Sequence, residues 1–273
     1  MNLPYRQNLH THSTFDDGVD TPEEMLLHAI SLGFDSIGFS GHAYASYGTR
    51  FCMSPESTLR FIDEINRLKH VYADRIRVFL GLECDMYSVG DLTPFDYALG
   101  SCHYLKIDGN IVGIDRKYDE VKLAADTYFG GDFYKLAACY YEQASHLPEY
   151  GHFDVLAHFD LIAKNREKGE MFDIDSPAYR RCALDALHEL AKKIPLFEVN
   201  TGAIARGYRT SPYPDPFILK AMKEEGMKPL ISSDCHTKEL LLCGFEQSLE
   251  AIKSAGFREL YYLTEDGFKG MKI

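Results

Sequence analysis

The segment "NLHTHSTFDDG" (8–18) places His10 and His12 two residues apart. In an extended strand residues i and i+2 share a face, so both imidazoles can reach one ion while Thr11 points away. Asp234 and His236 in "ISSDCH" repeat the spacing. Four further groups end apolar runs: His42 in "GFSGH", Glu83 in "LGLECD", His103 in "LGSCHY" and His158 in "LAHFD". Taken singly, each has a plain structural reading: a buried His is more often hydrogen-bonded in a core than bound to an ion, and Glu83 alone reads as a strand-end ion pair. Taken together, such groups would be costly to bury without a cation. Mixed imidazole and carboxylate ligands suit Zn²⁺, Mn²⁺ or Fe²⁺ rather than Ca²⁺. Roughly nine ligands, counting an aspartate of the Asp16–Asp17 pair, exceed one ion, so two or three divalent ions are expected. His28, His70, His146 and His188 fall in helical stretches, and His152 precedes the run bearing His158; these five read as structural.

The elements that position these groups are legible. "DSIGFS" (35–40), "IRVFLGLE" (76–83), "DYALGS" (96–101), "DVLAHF" (154–159), "LFEVN" (196–200), "PLISS" (229–233) and "ELYYL" (259–263) are nearly continuous apolar runs, as parallel strands covered on both faces require. Between them lie helices. Thr21 is a cap with Pro22 at the first position and Glu24 completing a capping box, and Gly33 is a stop; Ser54–Pro55 and Ser176–Pro177 repeat the start signal. "EQSLEAIKSAG" (246–256) ends on another glycine, and residues 103–153 read as two helices split at Gly130–Gly131. This alternation predicts an α/β barrel, with the candidate ligands at the C-terminal strand ends where side chains converge on one mouth. The rival, a doubly wound sheet, lacks a Gly-rich turn after the first strand.

The chain has 273 residues and a net charge of −12, with no Lys/Arg run, which argues against general nucleic-acid binding. No apolar run approaches the roughly 18 residues of a membrane span, and the start "MNLPYRQNLH" does not read as a signal peptide, so a cytoplasmic location is expected. Seven scattered cysteines, with no CxxC, fit free thiols in a reduced compartment.

The ordered set HTH…DG…GH…GLE…GSCHY…AHFD…SSDCH, from about residue 8 to 236, resembles the PHP (polymerase and histidinol phosphatase) family, and "TPEEM", "GGDFY" and "NTGAIARGYRTSPYP" resemble its histidinol-phosphate phosphatase branch. The resemblance implies a single domain over residues 1–273, a distorted barrel of seven β/α units with a trinuclear metal centre. His10, His12, Glu83 and Asp234 would hold one ion. Glu83 would bridge to a second, held also by His103 and His158. Asp17, His42 and His236 would hold the third, with Asp16 the alternative to Asp17. Glu83, Asp234 and His236 would be the catalytic ligands. Gly41 replaces an Asp that many relatives carry before the His, which would remove a partner of His42; Cys235 replaces a more usual Ser.

The implied reaction is hydrolysis of a small phosphate monoester, L-histidinol phosphate to L-histidinol and phosphate in histidine biosynthesis, by in-line attack of a metal-bridging hydroxide. Arg206 is the leading candidate to grip the phosphate, since a guanidinium binds it bidentately; Asn200, Arg209, Lys164 and Arg116 are the others. The alternatives are a PHP phosphoesterase for a nucleotide, phosphotyrosine or sugar phosphate, and a non-catalytic metal-binding module.

Overall fold

The computed structural model describes residues 3–48 and 50–273. In chain order it runs β1 (Gln7–Asn8), α1 (Pro22–Ser31), β2 (Ser36–Phe39), α2 (Pro55–Val71), β3 (Arg77–Asp85), β4 (Tyr97–Ser101), β5 (Tyr104–Ile107), β6 (Asn110–Gly113), α3 (Tyr118–Phe129), α4 (Phe133–Ser145), β7 (Val155–Leu156), α5 (Pro177–Ala191), β8 (Leu196–Asn200), α6 (Gly202–Ala205), α7 (Pro216–Glu224), β9 (Lys228–Ser232), α8 (Phe245–Ser254), β10 (Glu259–Thr264) and β11 (Gly267–Lys272). Seven strands form one parallel sheet in the order β1-β2-β3-β4-β7-β8-β9. Its edges meet where Thr11 bridges Cys235 in parallel, the His12 backbone amide donates to the Cys235 carbonyl at 2.9 Å, and the Asn8 side-chain amide donates to Ser233 Oγ at 2.6 Å. The result is a single α/β domain built on a nearly closed seven-stranded barrel, as the alternation predicts.

The predicted helix starts hold. Thr21 and Glu24 form the capping box, and Ser54 and Ser176 each accept an amide of the following turn. Residues 103–153 do contain two helices, parted where Gly130 takes a left-handed φ of 63° and Asp132 caps α4. They also contain the β5–β6 hairpin, which the helical reading missed. Its turn is Asp108–Gly109, both at positive φ, the pair a two-residue hairpin favours. "ELYYL" is the second correction: β10 pairs antiparallel with β11 and is not a barrel strand. The Gln7 side chain ties it to the barrel, donating to the Leu263 carbonyl and accepting from its amide at 2.9 Å each.

Strand alternation sorts side chains between the helices and the barrel axis. Phe79, Gly81 and Glu83 share one face of β3; Tyr97, Leu99 and Ser101 share one of β4; Leu196, Glu198 and Asn200 share one of β8. The first members join Leu9, Val155, Ala157 and Leu230 in an apolar cluster distinct from the larger helix-facing core. The last members carry the polar groups toward the mouth. Tyr97 fills the axis and donates its hydroxyl to the Leu9 carbonyl at 2.5 Å. It fits because its neighbours lack side chains: a Cβ on Gly81 would lie 2.1 Å from Tyr97 Cζ, and one on Gly38 2.3 Å from its hydroxyl. Gly81→Ala is therefore expected to destabilise the fold by about 1–3 kcal/mol through overpacking. Thermal unfolding should fall by roughly 2–4 °C per kcal/mol; an unchanged midpoint would contradict this packing.

Candidate metal centre

Glu83 sits at the centre of the mouth, buried to 1% exposure on a strand face that points to the axis. Its Oε1 lies 3.0 Å from His158 Nε2 and 3.2 Å from His103 Nε2. Its Oε2 lies 3.2 Å from His10 Nε2, 3.5 Å from His12 Nε2 and 3.0 Å from His42 Nδ1. Asp234 closes the other side, with Oδ1 3.4 Å from His12 Nε2 and 3.8 Å from His10 Nε2. It follows β9 with φ +48°, a left-handed conformation that is strained for a residue with a side chain. Asp17 Oδ1 stands 3.2 Å from His236 Nε2 and 3.8 Å from His42 Nε2. All nine predicted ligands thus converge, in four overlapping groups whose ligand atoms lie within 4.8 Å of one another.

These residues fit divalent ions. Tetrahedral metal bonds of about 2.0–2.2 Å set ligand atoms roughly 3.3–3.6 Å apart. The atoms of His10, His12, Glu83 and Asp234 are 3.2–3.8 Å apart. Among the described residues, His10 Nε2, His12 Nε2 and Glu83 Oε2 are buried without a hydrogen-bond partner, although they face one another. The electrostatics agree. Burial alone would depress the His10 and His103 pKa values, yet Glu198 and Glu83 around the first and Glu83 and Asp85 around the second hold both well above the usual range. His12 is likewise opposed by burial but carried to about 10 by Asp16. Burial would raise Glu83, but His10, His42 and His103 keep it well below its ordinary value; against the same opposition, His236 and His12 hold Asp17 at about 2. The cluster carries more negative charge than neutral imidazoles can balance, the condition a bound cation satisfies.

A second ring of carboxylates orients the imidazoles, as such rings do around metal sites. Glu198 accepts His10 Nδ1 at 2.9 Å, and also the His158 amide at 2.9 Å, Asn200 Nδ2 at 2.7 Å and Ser232 Oγ at 2.5 Å. Asp85 accepts the His103 amide at 2.7 Å and the Tyr47 hydroxyl at 2.5 Å. Asp16 accepts His12 Nδ1 at 2.6 Å. Asp16 therefore stands behind an imidazole while Asp17 faces the cluster. Sequence reasoning named neither Glu198 nor Asp85. A lone acid inside the apolar run "LFEVN" was the available signal for the first.

A cavity of about 270 Å³ opens over the cluster, and Arg206, Lys164 and Arg116 line it. Arg206 follows the short α6. Its guanidinium donates to Asp234 Oδ2 at 2.8 Å and to the Asp234 carbonyl at 3.1 Å. Gly202 leaves room for this pair, since a Cβ there would lie 2.5 Å from Asp234 Oδ2 and 2.7 Å from Arg206 Nη2. Lys164 reaches Asp115 Oδ1 at 2.5 Å and lies 4.3 Å from the centre of the Tyr208 ring. Two expected phosphate ligands are not in the cavity lining. Arg209 is 3% exposed and is taken up by Asp160 at 3.3 Å and Asp215 at 2.5 Å. Asn200 is fully buried, donating to Glu198 and accepting the Gly202 amide at 2.8 Å. Loop proximity in sequence did not distinguish residues that face the mouth from residues that anchor the loop beneath it.

Known proteins agree with this architecture. The PHP domain model matches residues 8–202. A histidinol-phosphatase of Lactococcus lactis subsp. lactis is 25% identical over 275 residues, covering 97% of this chain and 94% of its own. A Deinococcus radiodurans protein named "Probable histidinol-phosphatase" is 28% identical, covering 89% of this chain and 90% of its own. Among solved structures, histidinol phosphate phosphatase from Lactococcus lactis, complexed with zinc, L-histidinol and phosphate, superposes with a TM-score of 0.69 at 21% identity, covering 97% of this chain and 98% of that one. A Listeria monocytogenes structure gives a TM-score of 0.76 at 22% identity, covering 88% and 99%. No helix among the described residues is long and apolar enough to cross a membrane. With the domain model spanning residues 8–202 of 273, the chain belongs to the PHP domain family.

Proposed function

We propose that this protein is a metal-dependent phosphoric monoester hydrolase whose substrate is L-histidinol phosphate, released as L-histidinol and phosphate. The observation that carries the reading is the convergence of nine imidazole and carboxylate ligands beneath a cavity that Arg206 and Lys164 line. The relatives supply the substrate: three bear histidinol-phosphatase names, and a structural neighbour holds L-histidinol and phosphate.

His10, His12, Glu83 and Asp234 would hold one divalent ion, His103 and His158 with Glu83 a second, and Asp17, His42 and His236 a third, drawn from Zn²⁺, Mn²⁺ or Fe²⁺. Bound, such ions neutralise phosphoryl oxygens and supply a nucleophile at neutral pH. The chain's own work is orientation. Glu198 and Asp16 fix the His10 and His12 imidazoles, Asp85 holds the His103 backbone amide with that residue's Nδ1 3.6 Å away, and Glu83 joins two ligand sets through its two oxygens. Arg206 and Lys164 would bind the phosphoryl oxygens, and Phe51, Tyr104 and Leu161 add apolar and aromatic surface to the cavity wall.

Arg206→Met is expected to lower kcat/KM for a phosphate monoester by roughly 10- to 150-fold, the loss of a charged hydrogen bond of about 1.5–3 kcal/mol. Arg206→Lys should recover part of it. Because Arg206 also touches Asp234, bound metal is measured alongside; unchanged kinetics with Arg206→Met would remove it from the phosphate site. The reaction itself is tested with a panel of L-histidinol phosphate, a nucleotide monophosphate, a phosphotyrosine peptide and a sugar phosphate, with and without added metal.

A further inference from the structure

We infer that Asp16 is a positioning residue that assigns His12 to one ion of the cluster, and that Gly41 is glycine to admit it. This rests on the reading of the cluster as a metal centre. His12 belongs to two of the ligand groups, one with His10 and Asp234, the other with Asp17, His42 and His236. An imidazole has two nitrogens, so its allegiance depends on which one is free. Asp16 Oδ2 lies 2.6 Å from Nδ1, inside the 3.9 Å that separates the same nitrogen from Asp17. The other nitrogen, Nε2, has no hydrogen-bond partner and faces Asp234 at 3.4 Å and Glu83 at 3.5 Å. Asp16 thereby reserves His12 for the group with His10, Glu83 and Asp234, and leaves Asp17, His42 and His236 to the other. The same carboxylate accepts the Ser13 amide at 2.8 Å and the His42 amide at 3.0 Å. One fully buried side chain therefore joins the loops after β1 and β2 and sets the tautomer between them.

Gly41 makes this arrangement possible. A Cβ at that position would lie 3.3 Å from both Asp16 Cγ and Oδ2, and 3.2 Å from Met53 Cε. Its φ is not left-handed, so the backbone admits any residue, and the constraint is space. An aspartate at 41 would aim its carboxyl group into the volume that Asp16 fills. The two positions are alternative sources of one carboxylate, and a side chain at 41 would press on the one Asp16 already supplies.

Zinc affinity of the chelator-treated chain, measured by competition with a chromophoric chelator and with circular dichroism recorded on each variant, tests the assignment without reference to turnover. The wild-type chain binds two or three equivalents. Asp16→Gly weakens the affinity by roughly 10- to 100-fold, the usual effect of losing a partner behind a ligand. Gly41→Asp alone weakens it as well, because two carboxylates crowd one space. The double variant Asp16→Gly/Gly41→Asp returns to within a few-fold of wild type. Wild-type affinity in Asp16→Gly, or a double variant no tighter than Asp16→Gly, overturns the proposal while leaving the metal centre standing. A wild-type chain that takes up no zinc overturns both. Should Asp16→Gly not fold, Asp16→Asn is the replacement, and it must show the same loss; unchanged affinity there also overturns the assignment.

Discussion

Glu83→Gln is expected to strip metal from the protein and to abolish hydrolysis together. The substitution keeps the shape of the side chain and removes the one carboxylate that contacts five imidazoles, those of His10, His12, His42, His103 and His158. Removing one partner of a buried charge pair costs about 3–5 kcal/mol. At about 1.4 kcal/mol per tenfold, metal affinity should fall by roughly two to three and a half orders of magnitude. The loss should spread over more than one ion, because Glu83 Oε1 and Oε2 face different histidines. His10→Ala and Asp234→Ala should follow the same direction with a narrower loss, since each touches fewer groups. Metal content by elemental analysis and activity on a phosphate monoester read the outcome. A Glu83→Gln protein with full metal and full turnover would contradict the site.

Arg209→Met should be among the most damaging substitutions outside the cluster. Arg209 is the shared cation of two fully buried carboxylates, Asp160 and Asp215, and its guanidinium lies 4.6 Å from the centre of the Tyr213 ring. Arg166 still reaches Asp215 at 2.9 Å, so Asp160 is the group left without a cation. An uncompensated buried charge of this kind costs about 3–5 kcal/mol. The pH dependence fixes the sign. In the wild-type fold Asp160 is raised to about 6, because burial and the nearby Asp215 outweigh Arg209. A carboxyl whose folded pKa lies above its unfolded value contributes stability below the unfolded value and loses it as pH rises through the folded one. Without Arg209 the upward shift grows, so the deficit should be smallest in acid and widen as pH rises past about 6. Denaturant titrations of both proteins from acid to neutral pH measure this; a deficit that is constant or shrinks with pH would contradict the assignment. Because this network joins the segment bearing Lys164 to the loop bearing Arg206, KM for the phosphate ester should rise in parallel.

The barrel and the residues that converge at its mouth were legible for one physical reason: imidazoles and carboxylates at strand ends interrupt otherwise continuous apolar runs, and the i, i+2 period shows which of them share a face. His10 with His12 and Asp234 with His236 are read this way, as are the caps at Thr21, Ser54 and Ser176. What was not legible depends on orientation across long sequence separations. Glu198 and Asp85 act through hydrogen bonds to histidines that follow other strands, and no local spacing encodes that. Arg206 and Arg209 are three residues apart in one loop, yet one lines the cavity and the other is buried beneath it. The β5–β6 hairpin does leave a local mark, the Asp108–Gly109 turn, set in a stretch otherwise helical in composition. The β10 run has the composition of a buried strand, and composition alone does not say which partner a strand takes.

The most direct measurement is kcat/KM of the metal-reconstituted protein for L-histidinol phosphate against a nucleotide monophosphate, with a chelator-treated control. The expected result is a preference for L-histidinol phosphate of at least about 10², the discrimination of a site that binds the polar groups of its substrate, and loss of turnover in the control that returns with Zn²⁺ or Mn²⁺. Equal or greater efficiency on the nucleotide would contradict the assigned substrate, and undiminished turnover after metal removal would contradict the metal centre itself.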